Sequence, residues 1–144
     1  IVYNNPLIRT RRHEFKLSKG DLTSIYNSRT FCLYEDIDKI ITQGLAKGGS
    51  LENAIVVKEN KILNDNGLRH RHEFVDHKIL DCLGDLMLAG HRIFGHIKTS
   101  QGGHQLTNTL LNKFLSDKEN WKIENFEEKE HKDTSYSSSF AVNA

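Results

Sequence analysis

The chain has 144 residues, enough for one domain with a real core. Hydrophobic residues make up 37% and charged residues 27%, and a formal net charge of +1 leaves no field to steer a nucleic acid or an anionic membrane. No apolar run approaches the roughly 20 residues that span a bilayer, and Ile1-Val2-Tyr3-Asn4-Asn5-Pro6 lacks the basic and long apolar regions of a signal peptide. The sequence does not begin with Met, so the chain is expected to be a piece of something longer. Cys32 and Cys82 sit in apolar contexts without metal-ligand spacing and read as free buried thiols of a reducing cytoplasm. Eight histidines are many for so short a chain.

Residues 1–17 read as extended, interrupted at Pro6. Ser18-Lys19-Gly20-Asp21 has the form of a capping box ahead of a short helix through Leu22, Ile25 and Tyr26. Asp36 to Gln43 is predicted as a second helix, with Ile37, Ile40 and Ile41 on one side and Gly44 as its stop. Lys47-Gly48-Gly49-Ser50 is a flexible loop, Ala54-Ile55-Val56-Val57 a short buried strand, and Lys61-Ile62-Leu63 a second strand close enough for a hairpin. Glu73 to Ala89 is the strongest helix, stopped by Gly90. His91 to Lys98 alternates as a strand does, and Gly103 to Leu115 is a last helix. From 122 to 144 the chain is rich in Glu, Lys and Ser and reads as a charged, disordered tail. The expected class is α+β: a two-layer sandwich of helices on a small mixed or antiparallel sheet.

In the long helix, Val75, Ile79, Leu80, Leu83, Leu86 and Met87 share one face, expected to pack on the sheet. His77, Asp81 and Asp85 follow one another at i, i+4 and i+8 on the opposite side, with Gly84 beside them. A His-x-x-x-Asp pair on a helix is ordinarily a solvated pair of small energy. Three features favour a metal site. The residue types suit Zn²⁺. A mid-helix Gly costs about 1 kcal/mol relative to Ala and implies that space is needed. Finally, Gly102-Gly103-His104 follows closely enough for His104 to return to that polar face. His104 reads either as a surface or capping residue or as a general acid within reach of Asp85. Zinc with a protonated histidine is a familiar arrangement for amide hydrolysis.

The segments Arg29-Thr30-Phe31, Gly44-Leu45-Ala46-Lys47-Gly48-Gly49-Ser50, Asn53-Ala54-Ile55-Val56-Val57, Leu63-Asn64-Asp65-Asn66-Gly67-Leu68-Arg69, Glu73-Phe74-Val75-Asp76-His77-Lys78-Ile79-Leu80-Asp81, Gly84-Asp85-Leu86 and Gly103-His104 occur in this order. Together they resemble the C-terminal half of the bacterial UDP-3-O-acyl-N-acetylglucosamine deacetylases of lipid A synthesis, over about residues 1–121. The resemblance implies that His77 and Asp81 are two zinc ligands, His104 the general acid and Asp85 the carboxylate that orients it. It implies that Lys78 contacts substrate, that Thr30 steadies the tetrahedral intermediate and that Phe31 lines the pocket. Residues 34–57 match the insert that builds a passage for the acyl chain, with Ile37, Gly49 and Val56 along it. By themselves, Ile37, Ile40 and Ile41 read as core, Gly48-Gly49 as a turn and Thr30 as a surface hydroxyl.

The family's third zinc ligand, a histidine directly after the general-base glutamate, lies in an N-terminal half that this chain lacks. Glu130-His131 is in the charged tail and reads as chance. Cys32 and Gln101-Gly102 depart from the family's usual Gly and Lys-Ser at those positions. The resemblance thus implies a zinc-dependent deacetylase of an acylated UDP-sugar in the cytoplasm of a Gram-negative bacterium, this chain being inactive alone. The alternative is a non-catalytic module that binds an acylated sugar nucleotide.

Overall fold

The computed structural model describes residues 1, 4–9, 12–17 and 21–125. The capping-box residues Ser18, Lys19 and Gly20, and the tail from Phe126 onward, lie outside the described residues. The elements are α1 (Thr23–Tyr26), β1 (Thr30–Leu33), α2 (Ile37–Thr42), β2 (Ala54–Lys58), β3 (Lys61–Ile62), α3 (Glu73–Leu86) and α4 (His104–Ser116), with single 3₁₀ turns at Tyr34–Asp36, Met87–Ala89 and Lys118–Asn120.

Strand order is β1-β2-β3. β1 pairs parallel to β2, Phe31 opposite Ile55 and Leu33 opposite Val57. β2 and β3 form the expected antiparallel hairpin. The chain is therefore α+β with a mixed sheet. Parallel neighbours need a crossover, and residues 34–53 with α2 supply it. Asn64 clamps its exit: Oδ1 accepts from Val56 N–H at 3.0 Å, while Nδ2 donates to the carbonyls of Leu51 and Ala54. β-branched Ile55 and Val57 alternate inward and are fully buried with Ile8 and Phe74.

Three expectations are corrected. The N-terminal segment is not simply extended: residues 6–8 form a turn in which Asn5 Oδ1 accepts from the N–H of Leu7 at 2.9 Å, and Asn5 Nδ2 donates to the Glu59 carbonyl. That turn delivers Ile8 into the core. Residues 91–98 form no strand; they are exposed, irregular backbone. Their apolar alternation does not find a sheet edge to pair with. β1 was not expected at all, because four residues with a cysteine among them carry no period, and only pairing with a distant strand makes them one.

The face of α3 is also reassigned. Phe74, not the Val75–Met87 set as a whole, carries α3 onto the sheet core, meeting Phe31 edge-on with ring centroids 5.1 Å apart. Val75 and Leu86 are buried, but Ile79, Leu80 and Leu83 are only partly covered and Met87 is 70% exposed. Phe74, His77, Lys78 and Asp81 lie at i, i+3, i+4 and i+7, so the polar stripe is a continuation of the face that packs on β1.

A buried ion pair fixes that orientation. Glu73 Oε1 accepts from Arg29 Nε at 2.8 Å, and its Oε2 from the Arg69 N–H at 2.6 Å. Arg29 Nη2 also donates to the Gly67 carbonyl at 2.8 Å. Burial alone would raise the Glu73 pKa, but the hydrogen bonds from Arg29 and Arg69 and the Arg29 charge outweigh it, and the net shift is downward. The start of β1, the 67–69 turn and the first turn of α3 are thus held by one carboxylate.

Candidate active site

His77 is mostly buried on the β1 side of α3. Its ring lies 6.5 Å from that of Phe31 and its Nδ1 is 3.2 Å from the Ser28 carbonyl. Nδ1–H donates there, which turns Nε2 toward Asp81, 3.3 Å from its Oδ1. Burial lowers the His77 pKa; the Asp81 carboxylate and the Ser28 bond oppose it, while Lys78 and His104 add to it. The ring thus directs Nε2 at a carboxylate oxygen.

Lys78 Nζ donates to the other Asp81 oxygen at 2.9 Å and sits 5.7 Å from the Phe31 ring centroid. One turn further, Asp85 accepts from His104 Nδ1 at 2.8 Å. That bond leaves His104 Nε2 pointing back along the stripe, 4.0 Å from Asp81 Oδ1. Asp81 and Asp85 side chains are 13% and 16% exposed, whereas His104 is 72% exposed, so the cluster opens on the His104 side.

The return of His104 is made by irregular chain rather than by the expected strand. Gly90, at φ 72°, ends the helix in the left-handed region. At Gly102 a Cβ would lie 2.6 Å from Thr99 Oγ1, so any side chain there would require Thr99 to shift. Gly103 then caps α4, which opens on His104. At Gly84 a Cβ would meet nothing within 4 Å among the described residues. It leaves the stripe open there, with no close approach by any of the described residues.

Six of the expected residues thus gather: Phe31, His77, Lys78, Asp81, Asp85 and His104. Thr30 is exposed at the first position of β1, between Arg29 and Phe31. Ile37, Gly49 and Val56 belong to a different part of the fold. Ile37 opens α2, half-buried; the Gly49 N–H donates to Ala46 in an exposed turn; Val56 is buried in β2, alternating away from Ile55 and Val57. Reading the sequence missed Arg29, Glu73, Ser28 and the His13–Asp76 contact, which join positions far apart in the chain. The only signal for the last is the density of His70, His72 and His77 around Asp76.

The donor set suits a metal of zinc's preferences, imidazole nitrogen beside carboxylate oxygen. It is incomplete: among the described residues no group of three or more His, Cys, Asp or Glu is arranged to hold a metal ion. Nor, among them, is any helix long and apolar enough to cross a membrane.

Comparison with known proteins agrees with the geometry. Residues 1–116 match the family model of LpxC, UDP-3-O-acyl N-acetylglycosamine deacetylase. UDP-3-O-acyl-N-acetylglucosamine deacetylases from Hahella chejuensis and Mannheimia succiniciproducens are each 41% identical to the chain, over 89% and 90% of it and 43% and 44% of their own lengths. The protein of that name from Campylobacter jejuni subsp. doylei is 43% identical over 88% of the chain and 44% of its own length. The chain spans less than half the length of these curated relatives. A family-model match over residues 1–116 makes the chain a member of the UDP-3-O-acyl N-acetylglycosamine deacetylase family.

Proposed function

We propose that this chain is the C-terminal half of a zinc-dependent deacetylase that hydrolyses the N-acetyl group of a UDP-linked, 3-O-acylated glucosamine in lipid A biosynthesis, in the bacterial cytoplasm. The observation that carries the reading is the single polar stripe of α3: His77 Nε2 at 3.3 Å from Asp81, and His104 fixed by Asp85 at 2.8 Å.

In this reading His77 and Asp81 would hold zinc, with a third ligand and the general base coming from an N-terminal half. Bound zinc supplies Lewis acidity toward the amide carbonyl and its attacking water. The chain's own residues do the rest. Asp85 keeps His104 Nδ1 occupied, so the transferable proton sits on Nε2, on the side facing Asp81. From there it passes to the leaving amine nitrogen as the C–N bond breaks. Lys78 offers a positive charge beside the site, and the Thr30 hydroxyl donates to the developing oxyanion. Phe31 closes one wall. Residues 34–57, with Ile37, Gly49 and Val56, line the passage for the acyl chain. Residues 1–121 form the catalytic half, and the tail from 122 lies outside it.

The test compares two substitutions in the complete protein, preceding segment included. His104→Ala lowers the deacetylation rate by about 10²–10⁴-fold with zinc content unchanged. His77→Ala loses both. If His104→Ala leaves the rate intact, the acid role is wrong; if His77→Ala keeps its zinc, the ligand role is wrong. A non-catalytic module would bind the acylated UDP-sugar with no acetate released by the complete protein.

A further inference from the structure

On the Nδ1 side of His77 lies a second set of polar side chains that the proposed chemistry does not use. Ser28, whose carbonyl accepts from His77, is 6% exposed. Its hydroxyl donates to the Ser24 carbonyl at 2.7 Å, so the oxygen is left to accept from His70 Nε2–H at 2.9 Å. His70 Nδ1 faces Asp76 Oδ2 at 3.8 Å. Asp76 is 1% exposed, and its other oxygen bonds His13 Nδ1. The His13 ring stacks on His72 at a centroid distance of 5.1 Å.

This chain of contacts ends on the atom that orients His77. Ser28 sits in the short link between α1 and β1, where the backbone has no ladder to hold it. Its N–H donates to the Ile25 carbonyl at 3.1 Å and the following Arg29 N–H to Glu73 Oε1 at 3.2 Å, and its hydroxyl adds a tie to α1 through Ser24 and one to the 70–72 turn through His70. Asp76, directly before His77 on α3, meets the same His70 from the other side. The carbonyl and the imbedded imidazole are therefore fixed to one frame. A ligating imidazole is held in its tautomer and ring angle by the acceptor on its second nitrogen, and disturbing such a partner typically costs about 10–100-fold in metal affinity or activity.

We infer that His70, acting through its 2.9 Å hydrogen bond to the Ser28 hydroxyl, is a positioning residue for His77. The inference rests on His77 being a metal ligand. Because the contact to His77 is a backbone carbonyl, no side-chain change deletes it; changes at Ser28 and His70 loosen it.

The experiment uses the complete protein loaded with Co²⁺, its affinity read by competition with a chelator and its site geometry by the visible ligand-field bands. Ser28→Ala and His70→Ala each weaken Co²⁺ binding about 10-fold and shift the bands, with the far-ultraviolet circular dichroism unchanged. The double variant is no weaker than the worse single one, since both act through one link. His70→Gln, which keeps an N–H donor, recovers most of the affinity. Unchanged affinity and bands in both Ser28→Ala and His70→Ala, with His77→Ala abolishing binding, overturns this inference and leaves the ligand assignment standing. Undiminished Co²⁺ binding by His77→Ala overturns the ligand assignment and this inference with it.

Discussion

Asp85 and His104 stand 19 residues apart in sequence and 2.8 Å apart in space. The pairing was legible because both ends carry local signals: a carboxylate in helical step with His77 and Asp81, and a histidine released by two glycines. Replacing Asp85 with Asn keeps an acceptor for Nδ1 but removes its charge. In the complete protein Asp85→Asn therefore slows deacetylation less than His104→Ala does, with KM little changed, as steady-state kinetics would record. Glu73 was not legible, since its partner Arg29 lies 44 residues earlier. Its carboxyl, fully buried, titrates below its ordinary value in the folded chain. A lowered folded pKa means that the unfolded chain takes up the proton first. The stability Glu73 contributes is present above pH about 4.3, the ordinary glutamate value, and is lost as pH falls through the lowered one. Glu73→Gln leaves Arg29 buried without its counter-charge and destabilises by about 3–5 kcal/mol at neutral pH. The deficit narrows on acidification, and urea titrations across that range would measure it.

At the scale of elements, what the residues announce locally was read and what tertiary pairing decides was not. α3 has a long period and a glycine stop, and both survive in the structure. β1 becomes a strand only because β2 lies beside it, and residues 91–98 join no sheet and stay irregular. The apolar face of α3 was misjudged for a similar reason: Phe74 outweighs the longer aliphatic row because it alone reaches Ile55, Val57 and Ile8. Phe74→Ala should cost about 3–5 kcal/mol, seen as a lower denaturation midpoint. Gly90→Ala places a Cβ at φ 72° and should cost roughly 1–2 kcal/mol. It should also slacken the approach of the 91–103 segment, so that His104 loses part of its contact with Asp85. Nuclear Overhauser contacts between the His104 ring and the Asp85 side chain would report that loosening.

Across the whole molecule the site has an open side. Met87 and Leu88 at the end of α3 are each 70% exposed, and Leu106 and Leu110 on α4 are 54% and 52% exposed. Such apolar surface beside the polar stripe of α3 is what a chain spanning about 44% of its relatives would leave uncovered if the other part packed there. In the proposed function this chain supplies two zinc ligands and the proton donor, and the third ligand and the base come from the preceding segment. The most direct test is acetate release from UDP-3-O-acyl-N-acetylglucosamine in excess zinc, by the chain alone and by the chain joined to the segment that precedes it in its gene. The expected result is no turnover for the chain alone and full turnover for the joined protein. Robust deacetylation by the chain alone would contradict the account.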